Sequence, residues 1–109
     1  MLSGKKLSYS KTVVDQLFIF LKSEQSFALN LTGNEWFLLV IIFDFMDSNS
    51  TQECFADQAK LGKLARISES TLTRALKKFY QYGLLDKRKV WKENYYFAGP
   101  TIKNFIEQN

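Results

Sequence analysis

Apolar residues recur along this chain with two different periods, and the points where the period changes mark out its elements. From Thr12, the set Val13, Val14, Leu17, Phe18 and Leu21 falls at helical spacing, which predicts a helix from Thr12 to about Ser23; a strand through Leu17–Leu21 is the competing reading. Phe27, Leu29 and Leu31 then alternate with Ala28 and Asn30, the pattern of a short half-buried strand. Thr32 opens the next helix, because its hydroxyl suits the free amides and Glu35, three residues on, completes a capping box. That helix, Asn34 to about Asp47, is apolar on nearly every side, so it belongs at the centre of a fold or beneath a partner subunit. Asp44 and Asp47 stand near its end, where the macrodipole disfavours carboxylates, and polar neighbours are expected there. Asp47–Ser50 has the composition of a loop.

From Cys54 to Leu85 the order becomes helix, tight turn, helix, apolar strand. Asp57 caps a helix over Gln58–Ala65, with Leu61, Leu64 and Ala65 facing inward. Arg66-Ile67 makes the turn, and Ser68 caps a second helix, Glu69 to about Tyr82. Leu72, Ala75, Leu76 and Phe79 share one face of it and, with Ile67, read as core rather than as a cofactor site. The opposite face presents Ser70, Thr73, Arg74, Lys77 and, at its edge, Lys78. Gly83 supplies the left-handed position that ends this helix. Leu84-Leu85 begins a strand and Tyr95-Tyr96-Phe97 ends its partner, with the turn of the hairpin near Glu93 or Asn94. Pro100 stops the last strand, and Thr101 suits the cap of a short helix with Ile102, Phe105 and Ile106 along one edge. That edge fits a dimer seam and a lid on the core equally well. The chain thus divides into a weakly ordered arm over 1–11 and one domain over 12–109. The domain comprises a helix-turn-helix over 57–82, a hairpin over 84–98 and a terminal helix over 101–108, in a mostly helical α+β class.

Composition removes several functions from contention. A length of 109 residues suits one domain, and 46% apolar residues exclude a disordered polyelectrolyte. The longest apolar run, Trp36–Phe43, is too short to cross a membrane. No secretion signal opens the chain, and the single cysteine, Cys54, suits a reducing cytoplasm. With no histidine and one cysteine there is neither a Cys/His zinc cluster nor a Ser-His or Cys-His nucleophile pair. The glycines never gather into a phosphate cradle. We therefore expect no enzyme, no metal, no cofactor and no membrane partner.

Charge supplies the positive signal. Residues 60–92 carry ten Lys and Arg against Glu69 and Asp86, a net of +8, so with a total of +4 the rest of the chain carries −4. Such polarity turns one face toward a polyanion. A helix-turn-helix beside a basic hairpin is the footprint expected of a double-stranded DNA reader. In that reading Ser70, Thr73 and Arg74 reach base edges. Thr71, Lys77, Lys78, Lys87, Arg88, Lys89 and Lys92 hold phosphate, and each neutralised phosphate adds salt-dependent affinity. The basic hairpin is a wing, placed to straddle the backbone or enter the minor groove. Trp91 is expected to pack over its own hairpin, with DNA sugar or a second subunit as the other contacts open to it. Two-fold association through the apolar N-terminal helix or the C-terminal helix would match a palindromic site. The competing class is a protein-interaction module that docks through Glu35–Met46 and the C-terminal edge. An RNA-binding role is disfavoured, since the exposed helix face lacks aromatics for stacking on single strands.

Cys54-Phe55, Gln58, Leu61, Leu64, Ile67-Ser68, Thr71, Arg74-Ala75-Leu76 and Gly83-Leu84-Leu85 resemble the winged helix-turn-helix domains of plasmid and phage replication proteins and allied regulators. Tyr95-Tyr96-Phe97 to Pro100 is similar to the ends of RepL-type plasmid replication proteins. The resemblance spans roughly residues 27–102. It implies a short upstream strand, a central apolar helix, a recognition helix and a wing, acting in replication control or transcription of a mobile element. Where those proteins usually place Gly or Asn this chain has Arg66, and where Pro is common it has Ala56. Because the chain ends soon after the wing, no appended polymerase, primase or ligand-sensing domain is expected, and with that goes action by binding alone.

Overall fold

The computed structural model describes residues 12–23, 30–49 and 51–108. Within them run α1 (Val13–Ser23), α2 (Gly33–Asp47), α3 (Gln58–Ala65), α4 (Glu69–Gln81), β1 (Leu85–Val90), β2 (Glu93–Ala98) and α5 (Pro100–Gln108). The expected arm over 1–11 and the body of the expected strand over 27–31 lie outside the described residues.

Helix, not strand, is the outcome for the first apolar segment. Val13, Leu17, Phe20 and Leu21 are buried on one side of α1, whereas Phe18 and Ile19 stay exposed. Asp47 supplies the start of this helix from a distance: its Oδ1 accepts from Val13 N at 2.6 Å and its Oδ2 from Val14 N at 3.0 Å. A carboxylate at the negative end of α2 thereby faces the positive end of α1, the polar neighbour its position required. Asp44 is simply exposed.

The capping box of α2 is complete, with Glu35 N donating to Thr32 Oγ1 at 3.2 Å and Thr32 N to Glu35 Oε1 at 2.9 Å. Leu38, Leu39, Ile42, Phe43 and Met46 on this helix are buried and form the centre of the core. Each such side chain withdrawn from water contributes about 1.5–3 kcal/mol. Helices α1 and α3 and strand β2 all pack on α2, and α5 reaches α1, where Phe105 meets Phe20 edge-on at 5.3 Å.

Both helices of the helix-turn-helix end in the same six-residue turn. After α3, Ile67 N donates to Gly62 O at 3.0 Å; after α4, Leu84 N donates to Phe79 O at 2.9 Å. The left-handed residue of the first turn is Arg66, at φ 58°, and of the second Gly83, at φ 71°. The turn that forms best with Gly or Asn therefore forms here with Arg. One inward expectation fails on α3: Leu64 is exposed, whereas Leu61, Gly62 and Ala65 form the buried side of the helix.

β1 and β2 pair antiparallel, in a register running from Leu85↔Ala98 to Val90↔Glu93. Trp91 and Lys92 are therefore the two turn residues; Glu93 borders the turn and Asn94 lies one rung further along. Both belong to β2 and pair with Val90 and Lys89. Beyond β2, the terminal helix begins at Pro100 itself, whose fixed φ suits a first helical position. Thr101 does not cap it; its hydroxyl donates at 2.9 Å to Tyr82 O, tying α5 to the end of α4.

Candidate nucleic-acid interface

Helical spacing builds the first part of the site. Ser70, Thr73, Arg74 and Lys77 are all exposed along one stripe of α4, opposite buried Leu72, Ala75, Leu76 and Phe79. Hydroxyl chemistry shapes the N-terminal end of that stripe. Ser68 Oγ accepts from Thr71 N at 3.2 Å, donates to Thr71 Oγ1 at 2.9 Å and lies 3.2 Å from Ser70 Oγ. Thr73 Oγ1 donates back to Glu69 O at 3.0 Å, which leaves its lone pairs and methyl for an outside group. Arg74 Nη2 rests 3.4 Å from Thr71 Oγ1, a long contact that leaves most of the guanidinium fork open.

Thr71 and Lys78, seven residues apart, lie beside the exposed stripe of α4, and both are half-buried. Lys78 Nζ donates to Glu35 Oε1 at 2.9 Å and to Asn30 O. The structure thus gives Lys78 an internal task, bracing α4 against the first turn of α2. Partial burial raises the Glu35 carboxyl. Hydrogen bonds from Lys78 and Thr32, with the charge of Lys78, outweigh that effect and hold it below its usual 4.5.

Period-two alternation divides the wing's cations between two faces. Lys87 and Lys89, opposite Tyr96 and Asn94, share one face. Lys87 Nζ lies 5.2 Å over the ring of Tyr80, a residue of α4 three positions past Lys77. Lys87 therefore continues the basic row that Arg74 and Lys77 begin. Arg88, opposite Tyr95, turns to the other face. Its Nε donates to Glu53 Oε2 at 2.7 Å and its Nη2 to Glu53 Oε1 at 2.8 Å, a two-point grip. The same guanidinium covers the Tyr95 ring at 4.7 Å, and Tyr95 stacks on Phe55 at 4.8 Å. Arg88 donates to the Glu53 carboxyl and holds it below the ordinary carboxylate range. A phosphate would have to displace that carboxylate, so Arg88 stands apart from the open cations Lys77, Lys87, Lys89 and Lys92.

Trp91 does not pack over its hairpin: it is 92% exposed. Occupying the turn rather than a strand face, at φ 62°, it projects off the end of the ladder. Glu53 and Tyr80, and the hold of Glu35 on Lys78, which fix or place the basic side chains, went unnoticed in the sequence. Their partners lie seven to 43 residues away, and no local pattern marks them. Burial pushes the Cys54 thiol up to about 11, far from a reactive thiolate. Among the described residues, no group of three His, Cys, Asp or Glu could hold a metal ion, and no helix is long and apolar enough to cross a membrane.

Helix-turn-helix, two-stranded wing and flanking helices together define a winged helix domain. Solved structures share this fold at low identity. The chain is similar to the transcriptional regulator HlyU from Vibrio vulnificus, at 18% identity and a TM-score of 0.52 over 84% of this chain and 92% of that one. It is similar to Mb0332 from Mycobacterium bovis, described as a homodimeric winged helix-turn-helix DNA-binding domain, at 12% identity and 0.52 over 91% and 83%. It also resembles the adhesin competence repressor AdcR from Streptococcus pyogenes, at 17% identity and 0.52 over 90% and 70%. No family model matches the chain, and no curated protein matches it.

Proposed function

We infer that this chain is a sequence-specific double-stranded DNA-binding protein that regulates transcription, or the replication of a plasmid or mobile element, in the cytoplasm. The observation that carries this reading is the continuous exposed row Ser70, Thr73, Arg74, Lys77 and Lys87, made by one helix face and the near face of the wing. Helix α4 lies in the major groove, where Arg74 is bidentate to guanine and Ser70 and Thr73 meet neighbouring base edges. Lys77, Lys87, Lys89 and Lys92 neutralise phosphate, with Thr71 donating to it at the groove edge. The structural neighbours described as a transcriptional regulator and a repressor support the transcriptional branch, and the sequence resemblance supports the replication branch. Two variants test the division of labour. Arg74→Ala relaxes base preference and costs about 1–3 kcal/mol on a selected site. Lys89→Ala weakens all duplexes alike and lowers the salt slope by about one unit. Parental binding by both variants, on selected and random duplexes, would refute the assignment.

A second copy of the chain is the proposed partner. Phe18, Ile19 and Phe37 are exposed on α1 and α2, and Phe18 stacks on Trp36 at 5.9 Å, which joins the apolar surfaces of the two helices. The homodimeric neighbour supports covering them by self-association through the N-terminal helix. Half-burial of Phe105 against Phe20 makes the other candidate, α5, a lid on the monomer core.

A further inference from the structure

Trp91 exposes more of itself than any other large apolar residue described, 92% against 51% for Phe37, and does so from a strained backbone position. It occupies the first central position of a two-residue hairpin turn at φ 62°, while Lys92 has no positive φ. A left-handed φ at that position favours glycine, which has no Cβ to strain. A tryptophan there opposes both solvent exposure and backbone preference. Among the described residues no ring stacks on it and no cation covers it, so the free domain gains nothing from the side chain. Strain of this kind, held at a protruding tip between the exposed cations Lys89 and Lys92, marks a contact made with something else.

We propose that Trp91 is a minor-groove wedge, seated against deoxyribose walls beside the base pairs that α4 reads; this rests on the DNA-binding function inferred above. The register sets its course. Leu85, Lys87 and Lys89 share one wing face, and Trp91 follows them off its end. Six strand residues at about 3.3 Å each carry the tip about 20 Å from the end of α4. Half a turn of B-form duplex is about 17 Å, the step from a major groove to the neighbouring minor groove. Lys87 and Lys89 thus cross the intervening phosphates, and the indole arrives beyond them. The indole N–H is a donor and never an acceptor. The floor of the minor groove offers only acceptors at A·T pairs, whereas G·C adds the guanine amino donor. The wedge therefore selects A·T pairs, or any pair lacking that amino group, beneath the wing. Its grip comes from apolar contact, so it carries no counterion release.

The test uses the full chain with Trp36→Phe, which leaves Trp91 as the sole tryptophan, and three duplex polymers: alternating dA-dT, dI-dC and dG-dC. The dI-dC polymer presents the major groove of G·C with a minor groove free of the amino group. On binding dA-dT and dI-dC, acrylamide quenching of Trp91 falls severalfold, and on dG-dC it falls much less. Trp91→Gly suits the turn better, so its melting temperature holds or rises. Its affinity for dA-dT drops roughly tenfold or more, as loss of one large buried apolar side chain predicts, with the salt slope unchanged. Undiminished quenching on duplexes that do bind, or parental affinity of Trp91→Gly, overturns the wedge and leaves the DNA-binding function standing. Grouping of dI-dC with dG-dC overturns the minor-groove assignment. Protection by anionic lipid vesicles but by no bound duplex assigns the tip to a membrane surface and overturns the wedge as well. Absence of any duplex binding, read by anisotropy, removes both inferences together.

Discussion

Glu35 and Glu53 are the two carboxylates that decide which lysines and arginines are left open. Glu35 caps its own helix and grips Lys78 across 43 residues of sequence. Its carboxyl titrates below the usual 4.5 in the folded state, so the stabilisation is complete above the unfolded value and drains away as pH falls through the folded one. Glu35→Gln therefore flattens the acid limb of stability. In urea titrations from about pH 6 down to about pH 3, the parent loses more stability than the variant does. Glu53 holds Arg88 on the far face of the wing, at an exposed position where the pair adds little to stability. The consequence of breaking it lies in binding. Glu53→Gln releases the guanidinium, and both duplex affinity and the magnitude of the salt slope rise, the latter by about one unit. An unchanged slope in filter-binding titrations would show that the freed Arg88 reaches no phosphate.

The helices announce themselves through local chemistry. Thr32 with Glu35, Asp57, Ser68 and Gly83 each sit within four residues of the group they satisfy, and each closes the helix end that the sequence predicts. The same locality explains the failures. The sequence places the hairpin turn only near Glu93 or Asn94, and the strand register, which no local pattern sets, puts Trp91 and Lys92 in it. Lys78 and Arg88 look like surface cations until tertiary contacts bring Glu35 and Glu53 to them, and Asp47 finds the amides of α1 34 residues back. Leu64 was read inward from spacing alone, but an eight-residue helix buries only a narrow stripe. At the turn between α3 and α4, the resemblance to glycine-bearing proteins expects a different residue, and Arg66 adopts the left-handed conformation regardless. That conformation costs a side chain about 1 kcal/mol, so Arg66→Gly raises stability by an amount of that order, measurable by chemical denaturation.

Viewed whole, the molecule separates its two kinds of surface. The basic row lies on α4 and the wing, while the apolar patch of Phe18, Ile19 and Phe37 lies on α1 and α2, helices that carry Asp15, Glu35, Asp44 and Asp47. A second copy seated on that patch leaves both recognition helices open, which is the arrangement a two-fold operator needs. Phe37→Ser, at a half-exposed position outside the core, shifts sedimentation from dimer to monomer mass and reduces affinity for a palindromic duplex more than for a half-site. Dimer mass in the variant would send the contact elsewhere. The way the wing hangs from this body has its own effect. Its outer strand is fastened to the domain through the paired hydrogen bonds of Cys54 with Tyr96, at 2.7 and 2.9 Å, about midway along β2. Beyond that rung the backbone of β2 pairs with β1 alone, and side-chain contacts, Glu53 on Arg88 and Phe55 on Tyr95, hold the next rung to the body. On the DNA-binding function inferred above, fastening by side chains rather than by a third strand lets the tip adjust to grooves of differing width while α4 keeps its angle.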